Sequence, residues 1–198
     1  EDAASDKPAP GGGSVSALVG CLGASMACMA ANFTVGREKF KTVDAECRAL
    51  LDRFNAGRRR LLEYMDTDVQ AYGEVSKAYA MPRDTPQQKA SRAAAIQQAL
   101  KAAMAPPLEA LRICAALIDD LQRLVEIANP NLISDVGVAA IHLYAALRGC
   151  RLNVEINLAS IKDTDFVKQH LAEIESADAR ARAISDAVID KVAKAIRP

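Results

Sequence analysis

Between Pro8 and Gly36 the chain carries no charged side chain, and Gly12, Ser16, Gly20, Ala24 and Cys28 recur there every four residues. That spacing puts the small side chains on one stripe of a helix, where a second helix can approach closely. A helix apolar on nearly every face has to be surrounded by other elements. The stretch is also long enough to cross a bilayer. Its many Gly, Ser and Ala residues make it weakly hydrophobic, however, and no aromatic belt flanks it. A buried helix over residues 14–33 is the expectation, with no membrane partner.

The rest of the composition agrees. The 198 residues are 51% hydrophobic, yet aromatics make up only 4% and Trp is absent. Ala, Leu, Val and Ile supply the bulk, which suits closely packed helices better than a β sandwich. One domain over 1–198 is expected. The formal net charge is zero with the signs interspersed, so no nucleic-acid partner is expected. Cys21, Cys28, Cys47, Cys114 and Cys150 are scattered without a CxxC pair. They read as buried thiols of a reducing, cytoplasmic setting. Glu1 and Asp2 open the chain without a basic segment, so no secretory signal is expected.

Periodicity predicts helices throughout. Over 43–80, Cys47, Leu51, Phe54, Leu61, Met65, Tyr72, Val75 and Tyr79 share a stripe with two charges, Arg58 and Asp68. Thr85-Pro86-Gln87-Gln88 reads as a capping box opening a helix to about Met104. Pro106-Pro107 is expected to break the chain before a further helix to about Ile127. Ser134 or Asp135 should cap a helix to about Ala159, and Asp163 or Thr164 should open the last, to Ile196. The fold class is all-α: an antiparallel helical bundle with long helices and a buried apolar central helix pair. Six helices barely surround such a pair, so a homodimer or larger assembly is expected.

One face of the 135–159 helix combines polar and small residues. At 100° per residue, Asp135, Ala139, His142, Ala146, Gly149, Asn153 and Asn157 fall within about 40° of one direction. Buried amides and carboxylates are costly unless paired, so this face is a candidate for a ligand groove. Its ends, Asp135 and Asn153, are separated by about 27 Å. An elongated ligand, or two subunits each giving one end, would be needed to use both. Asp135 could equally be a first-turn carboxylate, and the asparagines packing groups. Asp68 reads either as an ion-pair partner or as a base. Gly11-Gly12-Gly13-Ser14 precedes a helix N-terminus but lacks a P-loop's GK[ST] and a preceding strand. No metal-ligand cluster or Ser-His-Asp arrangement is visible, which leaves acid–base chemistry on a bound small molecule.

Five segments together carry a family likeness: PAPGGGS at 8–14, VGREKF at 35–40, MPRDT at 81–85 with IQQAL at 96–100, NPNLISDVGVA at 129–139 and LNVEINL at 152–158. They resemble the cyclodeaminase family of folate enzymes, which includes the C-terminal half of formiminotransferase-cyclodeaminase and the stand-alone methenyltetrahydrofolate cyclohydrolase. The middle block and the length are more similar to the stand-alone enzyme. The resemblance implies a helical dimer that binds folate in a groove near the subunit interface. It implies site roles for Gly11, Gly12, Gly13, Ser14, Asn131, Asn153, Asn157 and Asp135, with Ser134 beside the last. On this reading Asp135 is the catalytic carboxylate, Asp68 competes for the role, and Arg37 and Lys39 grip the glutamate carboxylates. The substrate is a tetrahydrofolate derivative, with no metal or prosthetic group. Hydrolysis of 5,10-methenyltetrahydrofolate is the leading activity, deamination of formiminotetrahydrofolate the alternative, and a non-catalytic helical binding or scaffold role the remainder.

Overall fold

A computed structural model describes residues 2–7 and 9–197. Five helices make up the body: α1 (Gly12–Asn32), α2 (Asp44–Ala80), α3 (Pro86–Ile127), α4 (Ile133–Leu158) and α5 (Thr164–Ile196). Short 3₁₀ turns at Asp2–Ala4, Glu38–Val43 and Pro130–Leu132 complete the order. No strand occurs among the described residues. Short connections make successive helices antiparallel neighbours. α1 to α4 close an up-down-up-down bundle, and α5 lies in the groove between α3 and α4.

The helix ends follow local chemistry. Thr85 accepts from the Gln88 amide while the Gln88 side chain accepts from the Thr85 amide, which is the expected capping box. Asp163 caps α5 through the Phe166 amide. At α4 the expectation needs correcting. Pro130–Leu132 winds one 3₁₀ turn first, so Ser134 and Asp135 lie inside the first α-turn and cap nothing. Asn129 makes the turn instead, its side chain accepting from the Asn131 amide at 3.1 Å.

The expected break at Pro106-Pro107 is absent, and α3 runs unbroken through both prolines. Two prolines in a helix interior cost about 3 kcal/mol each. Both are buried among Ala103, Met104, Leu108 and Leu111. Packing on both sides of the dipeptide outweighs the local preference.

The stripe of small residues does what its spacing suggests. A Cβ on Gly12 would meet Asn153, one on Gly20 would meet Ala146, one on Gly23 would meet Leu143, and one on Gly149 would meet Ser16. α1 and α4 are therefore zipped antiparallel along most of α1. The polar and small face of α4 is no open groove, because α1 covers its middle. Gly23→Ala puts a methyl 2.9 Å from the Leu143 backbone nitrogen, which cannot swing aside. Overpacking of about 1–3 kcal/mol exceeds the gain of about 1 kcal/mol in helix propensity. Gly73 meets nothing within 4 Å, so Gly73→Ala should stabilise by about 0.5–1 kcal/mol. Urea denaturation of the two variants should shift the midpoint in opposite directions.

Length positions the site. α1 has 21 residues and α2 has 37, so α2 is about 24 Å longer. The C-terminal part of α2 and the first turns of α3 project beyond Gly12, and the corner that α1 vacates stays open.

Candidate functional site

The open corner is a cavity of about 390 Å³. Gly11, Gly12 and Gly13 form its floor, Asp68 and Tyr72 rise from α2, and Asn153 and Asn157 come from α4. Val69, Val75, Leu100, Ala103, Pro107 and Ile156 supply apolar walls, with Ala9 and Ser160 at the rim. The volume and the mostly apolar lining with a few convergent polar groups are those of a small-molecule site.

Asp68 is held from one side. Its Oδ2 accepts from the Ser14 backbone amide at 3.0 Å and lies 3.1 Å from Ser14 Oγ. Gly11 cannot cap α1 with a side chain, so a carboxylate from α2 satisfies one of the free amides at that N-terminus. Asp68 Oδ1 makes no hydrogen bond among the described residues, and Asp68 lines the cavity. A pure cap would not need that free oxygen. Gly13 permits the approach, since a Cβ there would stand 2.2 Å from Oδ1. Ser14 is 1% exposed and Oγ lies 2.8 Å from the Met65 carbonyl. It braces Asp68 from behind rather than lining the cavity. Behind Asp68, burial and then the Asp68 charge push the Cys150 thiol up to about 12. That thiol is no competing nucleophile.

The two asparagines add acceptors. Asn153 Nδ2 donates to the Gly149 carbonyl and Asn157 Nδ2 to the Asn153 carbonyl, each at 2.8 Å. Because a carbonyl can only accept, these bonds fix both amide orientations and leave each Oδ1 unengaged. Pro107 has no N–H to return to the Ala103 carbonyl, one more acceptor without its helical donor. Among the described residues no Lys or Arg lines the cavity. Acceptors, one carboxylate and no cation suit a ligand rich in N–H groups and positively charged at its reacting centre.

The remaining predicted residues stand elsewhere. Arg37, Lys39, Asn131 and Ser134 are exposed and Asp135 is half-buried. They lie at the end of the bundle where α1 stops and α4 starts, joined by Asn129, which donates from its backbone to Thr34 Oγ1 at 2.8 Å and from its side chain to the Phe33 carbonyl at 3.3 Å. Within one chain this cluster and the cavity lie at opposite ends of the α1–α4 zipper. Tyr72, Val69, Pro107 and Ile156 escaped the sequence reading as site residues. Tyr72 read as core, and Pro107 as a break. Among the described residues no group of three or more His, Cys, Asp or Glu side chains could hold a metal ion.

Known proteins resemble this chain over nearly its whole length. The family model described as formiminotransferase-cyclodeaminase matches residues 1–176. A methenyltetrahydrofolate cyclohydrolase from Methylorubrum extorquens is 39% identical over 96% of this chain and 91% of its own. A formimidoyltransferase-cyclodeaminase from Sus scrofa is 37% identical over 93% of this chain but only 34% of its own length. The crystal structure of a formiminotetrahydrofolate cyclodeaminase from Thermotoga maritima superposes with a TM-score of 0.88 and 30% identity, covering 99% of this chain and 94% of that one.

Proposed function

The chain belongs to the formiminotransferase-cyclodeaminase family, and from that membership we propose that it hydrolyses 5,10-methenyltetrahydrofolate to 10-formyltetrahydrofolate. The observation that carries the reading is Asp68: one oxygen tied to α1, the other free in a cavity of acceptors without a cation. In the substrate one carbon bridges N5 and N10 as an amidinium cation. The free Asp68 oxygen favours that cation and takes a proton from the attacking water. The water oxygen bonds to the bridging carbon, the bond from carbon to N5 breaks, and the proton passes to N5. Asn153 and Asn157 accept from the N–H edge of the pterin, while Tyr72 and the aliphatic walls cover its faces and exclude bulk water.

Deamination is the second reading, favoured by the likeness to the Thermotoga maritima cyclodeaminase. There N10 attacks the formimino carbon and ammonia leaves. The match to nearly the full length of a stand-alone cyclohydrolase supports placing hydrolysis first. Loss of 5,10-methenyltetrahydrofolate absorbance with purified protein, measured against the buffer rate, is the test. No acceleration, together with ammonia release from 5-formiminotetrahydrofolate, would overturn hydrolysis in favour of deamination.

A homodimer belongs to the same proposal. Val15, Leu18, Leu22 and Met29 of α1, Phe33 just after it, and Val138, Ile141, Leu152 and Ile156 of α4 are exposed, an apolar face that supports pairing with a second copy. Pairing these faces antiparallel about a two-fold axis would set Arg37, Lys39, Asn131, Ser134 and Asp135 of each copy against the other's cavity. Five unpaired, buried cysteines support a reducing, cytoplasmic setting.

A further inference from the structure

Among the described residues the other partly buried cations each have a strong acceptor. Lys101 meets Asp163, Arg151 meets Glu155 and Asp178, and Arg92 donates to the Tyr79 carbonyl. Arg58 differs. Among the described residues it has neither a carboxylate partner nor a backbone carbonyl like that of Arg92; its polar neighbours are Asn55 Oδ1, at a long 3.4 Å, and the Cys28 thiol. It lines a hollow of about 390 Å³ between α1 and α2, beside Ser25, Asn32 and Asn55 and at the edge of the proposed dimer face, whose Met29 and Phe33 also line it. Its guanidinium lies against the Cys28 thiol, where its charge opposes the upward push of burial. The thiol is neutral and cannot compensate that charge. A half-buried guanidinium without a counter-ion is costly, and a bound anion removes the cost.

Its place relative to Asp68 narrows the anion. Ten residues separate them on α2, or about 15 Å of rise. On α2 the exposed side chains of Leu62 and Val69 lie between, beside the α1 face whose Leu18 and Leu22 the proposed dimer covers. A ligand reacting at Asp68 and ending at Arg58 therefore has an apolar middle and an anionic end. The p-aminobenzoyl-glutamate arm of a folate has that form, and extended it is about as long as four residues of chain, about 13 Å. The Arg58 side chain spans the rest.

We propose that Arg58 binds a carboxylate of the substrate's glutamate tail, with Asn32 and Asn55 as supporting amides. The assignment rests on the folate reading. It places the tail cation in the same chain as Asp68, at the seam of α1 and α2, and it makes the site a reader of the tail as well as of the pterin.

The test is the ratio of KM for 5,10-methenyltetrahydropteroate, which lacks glutamate, to KM for the triglutamate substrate. In the wild type the ratio should be well above one. Arg58→Ala should raise KM for the triglutamate about tenfold, leave the pteroate unchanged and hold kcat within about twofold, while Arg58→Lys recovers part of the loss. An unchanged ratio in Arg58→Ala would overturn the proposal, including when both KM values rise together, as a packing defect would produce. If the wild type turns over neither substrate, the cyclohydrolase reading fails separately. The same ratio, taken by calorimetry from dissociation constants of tetrahydropteroate and tetrahydropteroyltriglutamate, then decides for Arg58.

Discussion

Asp68→Asn is expected to lower kcat by about a thousandfold, within the range that loss of a positioned base produces, while KM changes only a few-fold. The asparagine oxygen can still accept from the Ser14 amide, so the cap on α1 survives and unfolding should be little changed. That separation makes the result informative, because an amide keeps the hydrogen bond and loses the proton affinity. Turnover within about threefold of wild type would move the base elsewhere, with Asp135 next in line. The same variant examines the subunit arrangement. If each site draws Asp68 from one chain and Asp135 from the other, mixing inactive Asp68→Asn with inactive Asp135→Asn protein regenerates one intact site per mixed dimer. Random re-pairing should then restore roughly a quarter of wild-type activity. No recovery, or a fully active Asp135→Asn protein, would mean that the two ends do not meet.

Gly13→Ala should also lower turnover strongly, by a different route. The added methyl would stand 2.2 Å from Asp68 Oδ1 and 2.6 Å from Oδ2. Both atoms end a side chain that can rotate, so the backbone need not move and the fold should lose only about 1 kcal/mol, the worth of a cap. The carboxylate, however, has to leave the place where its free oxygen meets the substrate. A displacement of that size costs about a hundredfold in rate. A circular dichroism melt close to wild type beside that loss of kcat is the expected pair of observations. Full activity would show that Asp68 does not act from this position.

Residues that act through local spacing were legible in the sequence. The four-residue recurrence of small side chains in α1 announced a close helix contact, and Thr85 and Asp163 announced their helices through side chain to backbone bonds within four residues. Pro106-Pro107 misled because the local cost is overridden by packing that no window of sequence contains. The site was half legible for the same reason. Gly11 to Ser14, Asn153 and Asn157 belong to motifs that attract notice, and Asp68 showed as a charge on an apolar stripe. That Asp68 caps the helix starting at Gly12 is a contact across 54 residues of chain. Nor does a helical wheel reveal that α1 covers the middle of the α4 face. Asp135 and Asn153 share that face, yet only their two ends remain accessible.

The excess length of α2 and α3 over α1 also divides the molecule mechanically. Below Gly12 every helix has neighbours on two or more sides. Above it, α2 and α3 continue as a two-helix arm with few buried side chains on α2 beyond Leu61. Stability is therefore graded along the long axis, and the arm opens at lower free energy than the bundle beneath it. The cavity lies on that boundary, with Asp68 and the glycine floor on the stiff side and Val75 and Leu100 on the compliant side. A ligand that touches both sides joins them into one cooperative unit and stiffens the arm as it binds, so part of its binding free energy is spent as lost motion in a segment remote from the reacting carbon.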